Sequence, residues 1–326
     1  MAAPVRSKLL LTGVLVTAAL ALVPAGVAGN GGFAPPDAAS PNAEGIRQAY
    51  FWVAIFTGIV LVLVQGTLIY FIVKYRRRRR SRLDDGPQVH GNTQLEIAWT
   101  VVPVLILVGI GSFVFYKLPG IDNVPSASAA GGREEVSVTG YRFYWQFEYP
   151  NGAVAVDRMR VPAGRNMRLT VTAPGWDVIH SWWIPELGGK IDAIPGRENV
   201  TWFRADDPGI YEGQCAELCG IQHARMKATV EVLPQAAFDR WVAARGRGLG
   251  LGKETYEGVC AKCHGLAGQG GIGPRIAGSP TLTDPAALAT LVRNGRRTMP
   301  AVGSGWTDEQ IAALATYLKE NPPSGR

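Results

Sequence analysis

Two long apolar runs separated by a block of arginines limit what this chain can fold into more than any other feature. Tyr50 to Val73 contains no charged side chain, and Ile97 to Tyr116 is a second run of the same kind. Each is long enough to cross a hydrocarbon core of about 30 Å as a helix. Pro103 is tolerated in such a helix where its freed carbonyl finds a partner. Between the runs lie Lys74, Arg76 to Arg80 and Arg82. Positive charge in that position marks a cytoplasmic flank. The reading is a helical hairpin over 45–118, with helices at about 50–73 and 97–116, and everything after Leu118 outside the membrane. The formal charge of +7 therefore belongs largely to a membrane flank, with anionic lipid as a further partner. Nucleic acid is not indicated as a partner.

Residues 1–28 read as a signal peptide: Arg6 and Lys8 precede an apolar stretch that ends in the small residues Ala25-Gly26-Val27-Ala28. An uncleaved membrane helix is the alternative. A secretory signal delivers the N-terminus outside, as the hairpin requires.

Beyond the small-residue linker Pro125 to Gly132, short β-rich runs alternate with turn signals. Glu135–Val138, Arg168–Thr172, Asn199–Phe203 and Lys227–Val232 are examples, with Pro174-Gly175 and Asp207-Pro208-Gly209 as punctuation. Strands at this spacing predict an all-β sandwich or barrel over 132–233.

The scarce residues carry the chemistry. Four cysteines fall in two close pairs, and the chain has only four histidines. Cys215-Ala-Glu-Leu-Cys219-Gly-Ile-Gln-His223-Ala-Arg-Met226 gathers two thiols, an imidazole and a thioether on one loop between strands. Soft sulfur with imidazole suits copper or zinc, and the methionine favours copper. A second histidine has to come from elsewhere. His90 lies on the cytoplasmic side and His264 belongs to another motif, which leaves His180. A local Cys215–Cys219 disulfide and a mononuclear copper site are the alternatives.

Residues 234–252 read as a short helix, Pro234 to Trp241, and a glycine-rich linker, Gly246 to Gly252. Cys260-Ala-Lys-Cys263-His264 then has the pattern of covalent haem c attachment, in which both cysteines form thioethers and the histidine binds iron. Met299, the only methionine after it, is the candidate sixth ligand. The Pro274 carbonyl is the candidate group for orienting the His264 ring. Ile311, Leu314 and Leu318 recur at helical spacing and predict a closing helix over Asp308 to Glu320. Residues 253–326 thus resemble a small all-α, class I cytochrome c domain.

The C-x-E-x-C-G-x-x-H-x-x-M loop resembles the dinuclear copper (CuA) loop of cytochrome c oxidase subunit II. Val178-Ile-His-Ser-Trp182, Lys190-Ile-Asp-Ala-Ile-Pro-Gly-Arg197, the aromatic run Gly140 to Tyr149 and the hairpin resemble that family too, together covering about residues 45–245. With the haem motif, the likeness is to a caa-type oxidase in which subunit II is fused to cytochrome c. The resemblance implies a cupredoxin barrel in which Cys215 and Cys219 bridge two coppers. His180 and His223 would be terminal ligands, with Met226 and the Glu217 carbonyl completing the sites weakly. It further implies magnesium on the Glu217 carboxylate, supported by Asp192, at the boundary with the catalytic subunit. Glu96, in an E-x-x-W pattern with Trp99, would serve proton uptake; an interfacial charge that positions the helix is the other reading. Phe143 stands where the family usually has the tryptophan that receives electrons from a separate cytochrome c, whereas Trp145 matches a second tryptophan.

The function implied is the electron-input subunit of an aerobic terminal oxidase. Electrons would pass from an external donor (cytochrome c or a quinol:cytochrome c reductase complex) through haem c and CuA to catalytic subunit I. That subunit reduces oxygen to water with proton translocation, so this chain acts as part of an oxidoreductase and translocase. With His180, His223 and His264 assigned, it lacks ligands for an oxygen-reducing site of its own. The expected location is a bacterial cell membrane, multi-pass, with both redox domains external. A nitrous oxide reductase-like enzyme would need many more histidines, and a quinol oxidase subunit would not retain the copper-loop ligands.

Overall fold

The computed structural model describes residues 34–75, 88, 90–126, 128–129 and 132–326. The signal-peptide segment and the arginine run 76–80 with Arg82 lie outside the described residues.

The two apolar runs form helices α1 (Pro41–Tyr75) and α2 (Thr93–Asp122), longer at both ends than hydropathy indicates. Hydropathy detects the lipid-compatible middle, whereas helical hydrogen bonding continues into polar turns. Asn92 and Glu96 start α2 reciprocally: Leu95 N donates to Asn92 Oδ1 at 3.1 Å and Asn92 N donates to Glu96 Oε1 at 3.2 Å. The helices run antiparallel. Lys117 Nζ donates to Gln48 Oε1 at 2.7 Å, and Trp52 stacks on Phe113 with centroids 4.9 Å apart. Each has a mean hydropathy of 2.3 in its most apolar window and buries none of it within the chain. Apolar surface on that scale needs lipid or partner helices to cover it.

The second unit contains two five-stranded sheets. One has the order β3-β2-β1-β5-β8, from β1 (Arg133–Tyr141), β2 (Tyr144–Glu148), β3 (Val154–Val156), β5 (Asn166–Thr172) and β8 (Asn199–Phe203). The other is β4-β10-β9-β6-β7, from β4 (Arg158–Pro162), β6 (His180–Trp183), β7 (Ile191–Ala193), β9 (Gly209–Cys215) and β10 (Lys227–Leu233). Alternate residues of β5 and β10 turn inward, as a two-residue period requires. Trp145, Phe147, Met159, Leu169, Val171, Ile184 and Phe203 fill the cupredoxin-like core.

β2 departs from simple alternation because it is covered on both faces. Trp145 and Phe147 enter the barrel core, whereas Tyr144 belongs to a second core together with Tyr141 and Val156. That second core is the helical domain. It comprises α4 (Leu251–Thr255), a π-helical turn (Tyr256–Cys260), α5 (Ala261–His264), α6 (Pro285–Asn294) and α7 (Asp308–Glu320). Asp284 caps α6 by accepting from Ala286 N and Ala287 N, with Pro285 pre-set as its first residue. Tyr256, Leu288, Val292, Trp306, Ile311, Leu314 and Leu318 close the core.

The short helix α3 (Gln235–Arg245) leads into the glycine segment, which is more ordered than its composition indicates. Leu251 is buried, and Glu254 Oε1 receives Arg245 Nη2 at 2.6 Å and Arg160 Nη1 at 2.7 Å. These ion pairs draw the segment against β4, which composition alone cannot reveal.

Candidate metal centres

β9 ends at Cys215 and β10 begins at Lys227, so the thiol-bearing loop spans one end of the barrel. β6 lies beside β9, with Trp182 opposite Cys215, which brings His180 at the start of β6 to the same end. Backbone hydrogen bonds close the loop: Cys215 N to Met226 O at 2.9 Å and Ala216 N to Ser181 O at 2.8 Å.

Six donor groups converge there. Cys215 Sγ lies 3.9 Å from Cys219 Sγ, 4.0 Å from His180 Nδ1 and 3.2 Å from Glu217 O. Cys219 Sγ lies 3.7 Å from His223 Nδ1 and 3.8 Å from Met226 Sδ. Both cysteines are free thiols, so the disulfide alternative does not hold. Two sulfurs that share a tetrahedral ion with metal–sulfur bonds of about 2.3 Å stand about 3.8 Å apart. The observed separation fits bridging thiolates. His180, Cys215, Cys219 and Met226 are buried, whereas His223 is half-buried.

The two thiols titrate in opposite directions. The Cys215 thiol is pushed down, first by its contact with Cys219 and then, against burial, by His180. The Cys219 thiol is pushed up, first by the neighbouring Cys215 and then by burial. Two thiolates this close repel one another, so a bound cation would favour the ionised form of both.

Asp177 supports this arrangement, and sequence reasoning overlooked it. Its Oδ1 lies 3.6 Å from His180 Nε2, a buried nitrogen with no partner within hydrogen-bond distance among the described residues. Arg142 Nε donates to Asp177 Oδ1 at 2.7 Å, and Arg142 N and Val178 N donate to the carboxylate at 3.1 and 2.7 Å. Burial raises the Asp177 pKa, but the facing His180 imidazole and the hydrogen bonds from Val178 and Arg142 outweigh it and hold the carboxyl below its ordinary value. A carboxylate behind the remote nitrogen of an imidazole fixes the ring of a metal-binding histidine. The available signal was an acid three residues before His180.

The Glu217 carboxylate is exposed and lies 3.9 Å from Lys190 Nζ, which also pairs with Asp192 Oδ1 at 2.8 Å. Lys190, ahead of Ser181, holds the Asp192 carboxyl below its usual range. This cation contacts both Glu217, read as the magnesium ligand, and Asp192, read as its support. Among the described residues, the only group of three or more histidine, cysteine or acidic side chains with metal-ligand spacing is His180, Cys215 and Cys219.

In the helical domain, Cys260, Cys263 and His264 follow one another through the π-helical turn and α5. His264 Nδ1 lies 2.7 Å from the Pro274 carbonyl, which leaves Nε2 for an iron. Gly273 permits this approach, since a Cβ there would lie 2.7 Å from His264 Cε1. The donor set therefore fits a covalent haem. Met299 is half-buried in a tight turn, paired through its backbone with Arg296.

The two cofactor loops touch. Gln222, between Cys219 and His223, is buried, and its Nε2 donates to Lys262 O at 2.8 Å and lies 3.8 Å from Cys263 Sγ. Phe143 is half-buried against the barrel core, and its carbonyl accepts from Lys262 Nζ at 2.8 Å. Trp145 is buried edge-on to His180 with centroids 6.0 Å apart. Glu96 lies on α2, where it serves the helix start described above.

Residues 28–116 match the transmembrane domain of cytochrome c oxidase subunit II, and residues 152–233 match its periplasmic domain. Residues 249–318 match the family described as cytochrome c oxidase, cbb3-type, subunit III. Cytochrome c oxidase subunit 2 of Alkalihalophilus pseudofirmus is 36% identical over 251 residues, 72% of this chain and 71% of that protein. The chain belongs to the cytochrome c oxidase subunit II family. Subunit 2 of Cereibacter sphaeroides is 33% identical over 67% of this chain and 81% of that protein. The crystal structure of the periplasmic domain of subunit II from Bradyrhizobium japonicum is 34% identical, covering 39% of this chain and 99% of that one, with a TM-score of 0.36. This subunit II thus has a cytochrome c domain fused behind its copper-type domain, on a membrane protein with an external region.

Proposed function

We propose that this chain is the electron-input subunit of a caa-type oxidase. Electrons from an external cytochrome c or quinol:cytochrome c reductase complex reach the C-terminal domain, cross to the copper loop and leave for catalytic subunit I. Oxygen reduction and proton translocation belong to the assembled complex. The carrying observation is Gln222, which lies in the copper loop and donates to the carbonyl of Lys262, between the two haem-attachment cysteines.

Cys215 and Cys219 would bridge two coppers, with His180 and His223 terminal and Met226 and Glu217 O as weak outer donors. Such a pair supplies a one-electron carrier whose charge is shared between the metals, and a haem on Cys260, Cys263 and His264, with Met299, supplies another. The protein fixes the geometry. Asp177 orients His180, Pro274 orients His264, and buried surroundings exclude water from the thiols. Rigid ligands change little when an electron arrives, which favours fast transfer.

The domain boundaries adopted are the hairpin at 45–118, the copper domain at 132–233, the connector at 234–252 and the cytochrome at 253–326. Magnesium on Glu217, with Asp192 in support, would require Lys190 to move and oxygen ligands from subunit I, because the described residues alone do not supply a full set. Flash reduction of the haem in the purified oxidase tests the route. Copper absorbance changing in step with haem reoxidation is expected, whereas copper reduced while the haem holds its electron would reject this order.

A further inference from the structure

Lys262 is one of the two residues between the haem-attachment cysteines, and both of its ends are engaged by the copper domain. Its Nζ donates to Asp157 Oδ2 at 2.5 Å and to Phe143 O at 2.8 Å. Its carbonyl accepts from Gln222 Nε2 at 2.8 Å and from Arg225 Nη1 at 3.3 Å. The ion pair is sheltered, with the Lys262 and Asp157 side chains 14% and 22% exposed.

The receiving side is shaped for this contact. Asp157 lies at φ 59°, a left-handed backbone costly for a non-glycine residue. Its other oxygen accepts from Trp145 N at 3.0 Å, so one carboxylate joins the barrel strand beside His180 to the haem-attachment helix. Gly258, one turn before Cys263, allows the close approach. A Cβ there would lie 2.7 Å from Val156 Cγ1 and 3.2 Å from Asp157 Oδ2. Farther out, Tyr144 Oη donates to Val302 O at 2.6 Å and accepts from Trp306 Nε1 at 3.0 Å.

From this geometry we infer that Lys262 is a positioning residue that pins the haem-attachment helix to the copper loop. The cytochrome domain then works permanently docked, without swinging on its linker. Its footing covers the carbonyl of Phe143, at the position where the family takes electrons from a separate carrier, so an external donor delivers to the haem. This inference rests on the electron-input reading above, and names the contact that sets its rate.

The test uses the assembled oxidase carrying Lys262→Met or Asp157→Asn. Asn at 157 keeps an acceptor for Trp145 N, so it remains informative if the Lys262 variant fails to mature. In the parent enzyme, haem-to-copper transfer after a flash is expected to be independent of solvent viscosity. In either variant it should slow by about ten-fold, the weight of one lost charge-assisted contact, and become viscosity-dependent. Lys262→Arg should restore much of the rate. Hydrogen exchange supplies a readout independent of turnover: amides of 142–145 and 220–226 should lose protection in both variants. Unchanged rate, viscosity response and exchange in a haem-loaded variant would overturn the inference. A parent chain without covalent haem would instead overturn the electron-input reading, and the exchange comparison would still judge the pin.

Discussion

Replacing Asp177 with asparagine should weaken copper binding without unfolding the barrel. The carboxylate accepts three hydrogen bonds, from Arg142 Nε at 2.7 Å, Arg142 N at 3.1 Å and Val178 N at 2.7 Å, and faces His180 Nε2 at 3.6 Å. Asparagine keeps the shape and one acceptor oxygen but removes the charge. A hydrogen bond to a charged group contributes about 1.5–3 kcal/mol. Arg142 is 34% exposed, so its share is screened, and a stability loss of about 1–2 kcal/mol is expected. Loss of the group that orients a histidine ligand lowers metal affinity by about 10–100-fold. The pH dependence has a definite sign. The Asp177 pKa is depressed in the folded chain, so its stabilisation is present above the ordinary carboxylate pKa and is lost as pH falls through the lowered value. The variant should therefore lose that acid-limb dependence. Copper competition against a chelator, with denaturant titrations across acidic pH, measures both effects. Copper affinity unchanged within about two-fold would refute the orienting role.

Other consequences follow from single contacts. Tyr144→Phe removes the acceptor for buried Trp306 Nε1 and the donor to Val302 O, so stability should drop by about 1–3 kcal/mol in calorimetry. Leu169→Ala, at a fully buried barrel position, should cost about 2–5 kcal/mol in denaturant titration. Gly273→Ala forces a Cβ into His264, so the yield of covalently attached haem, read by haem staining, should fall while copper content stays unchanged. Normal haem content in that variant would show that the close packing is not needed.

How much was legible in the sequence depended on whether one residue or a pairing carried the signal. The closing helix from Asp308 to Glu320 and the strand Asn199–Phe203 appear with their expected bounds, because one-face periodicity and β-branched runs are local properties. His180, Cys215, Cys219, His223 and Met226 are brought together as scarcity and spacing suggested. Helix ends were misjudged, since polar turns at Pro41 and Asp122 continue a helix that hydropathy stops counting. The double burial of β2 was invisible, because alternation gives its two faces but not what covers the outer one. Asp177 and Lys262 escaped for the same reason. A charged residue reads as surface until its partner is known, and Asp157 and Arg142 are distant in sequence. The glycine segment read only as a linker because composition cannot register the Arg245–Glu254–Arg160 ion pairs.

Metal content of the haem-matured full-length chain, purified within its oxidase and measured against subunit I alone, bears most directly on the copper–haem pairing. About two coppers per covalently bound haem iron are expected from this chain, both lost together when Cys219 is changed to serine. A single copper, or a Cys219→Ser variant that keeps its full complement, would contradict the bridged pair.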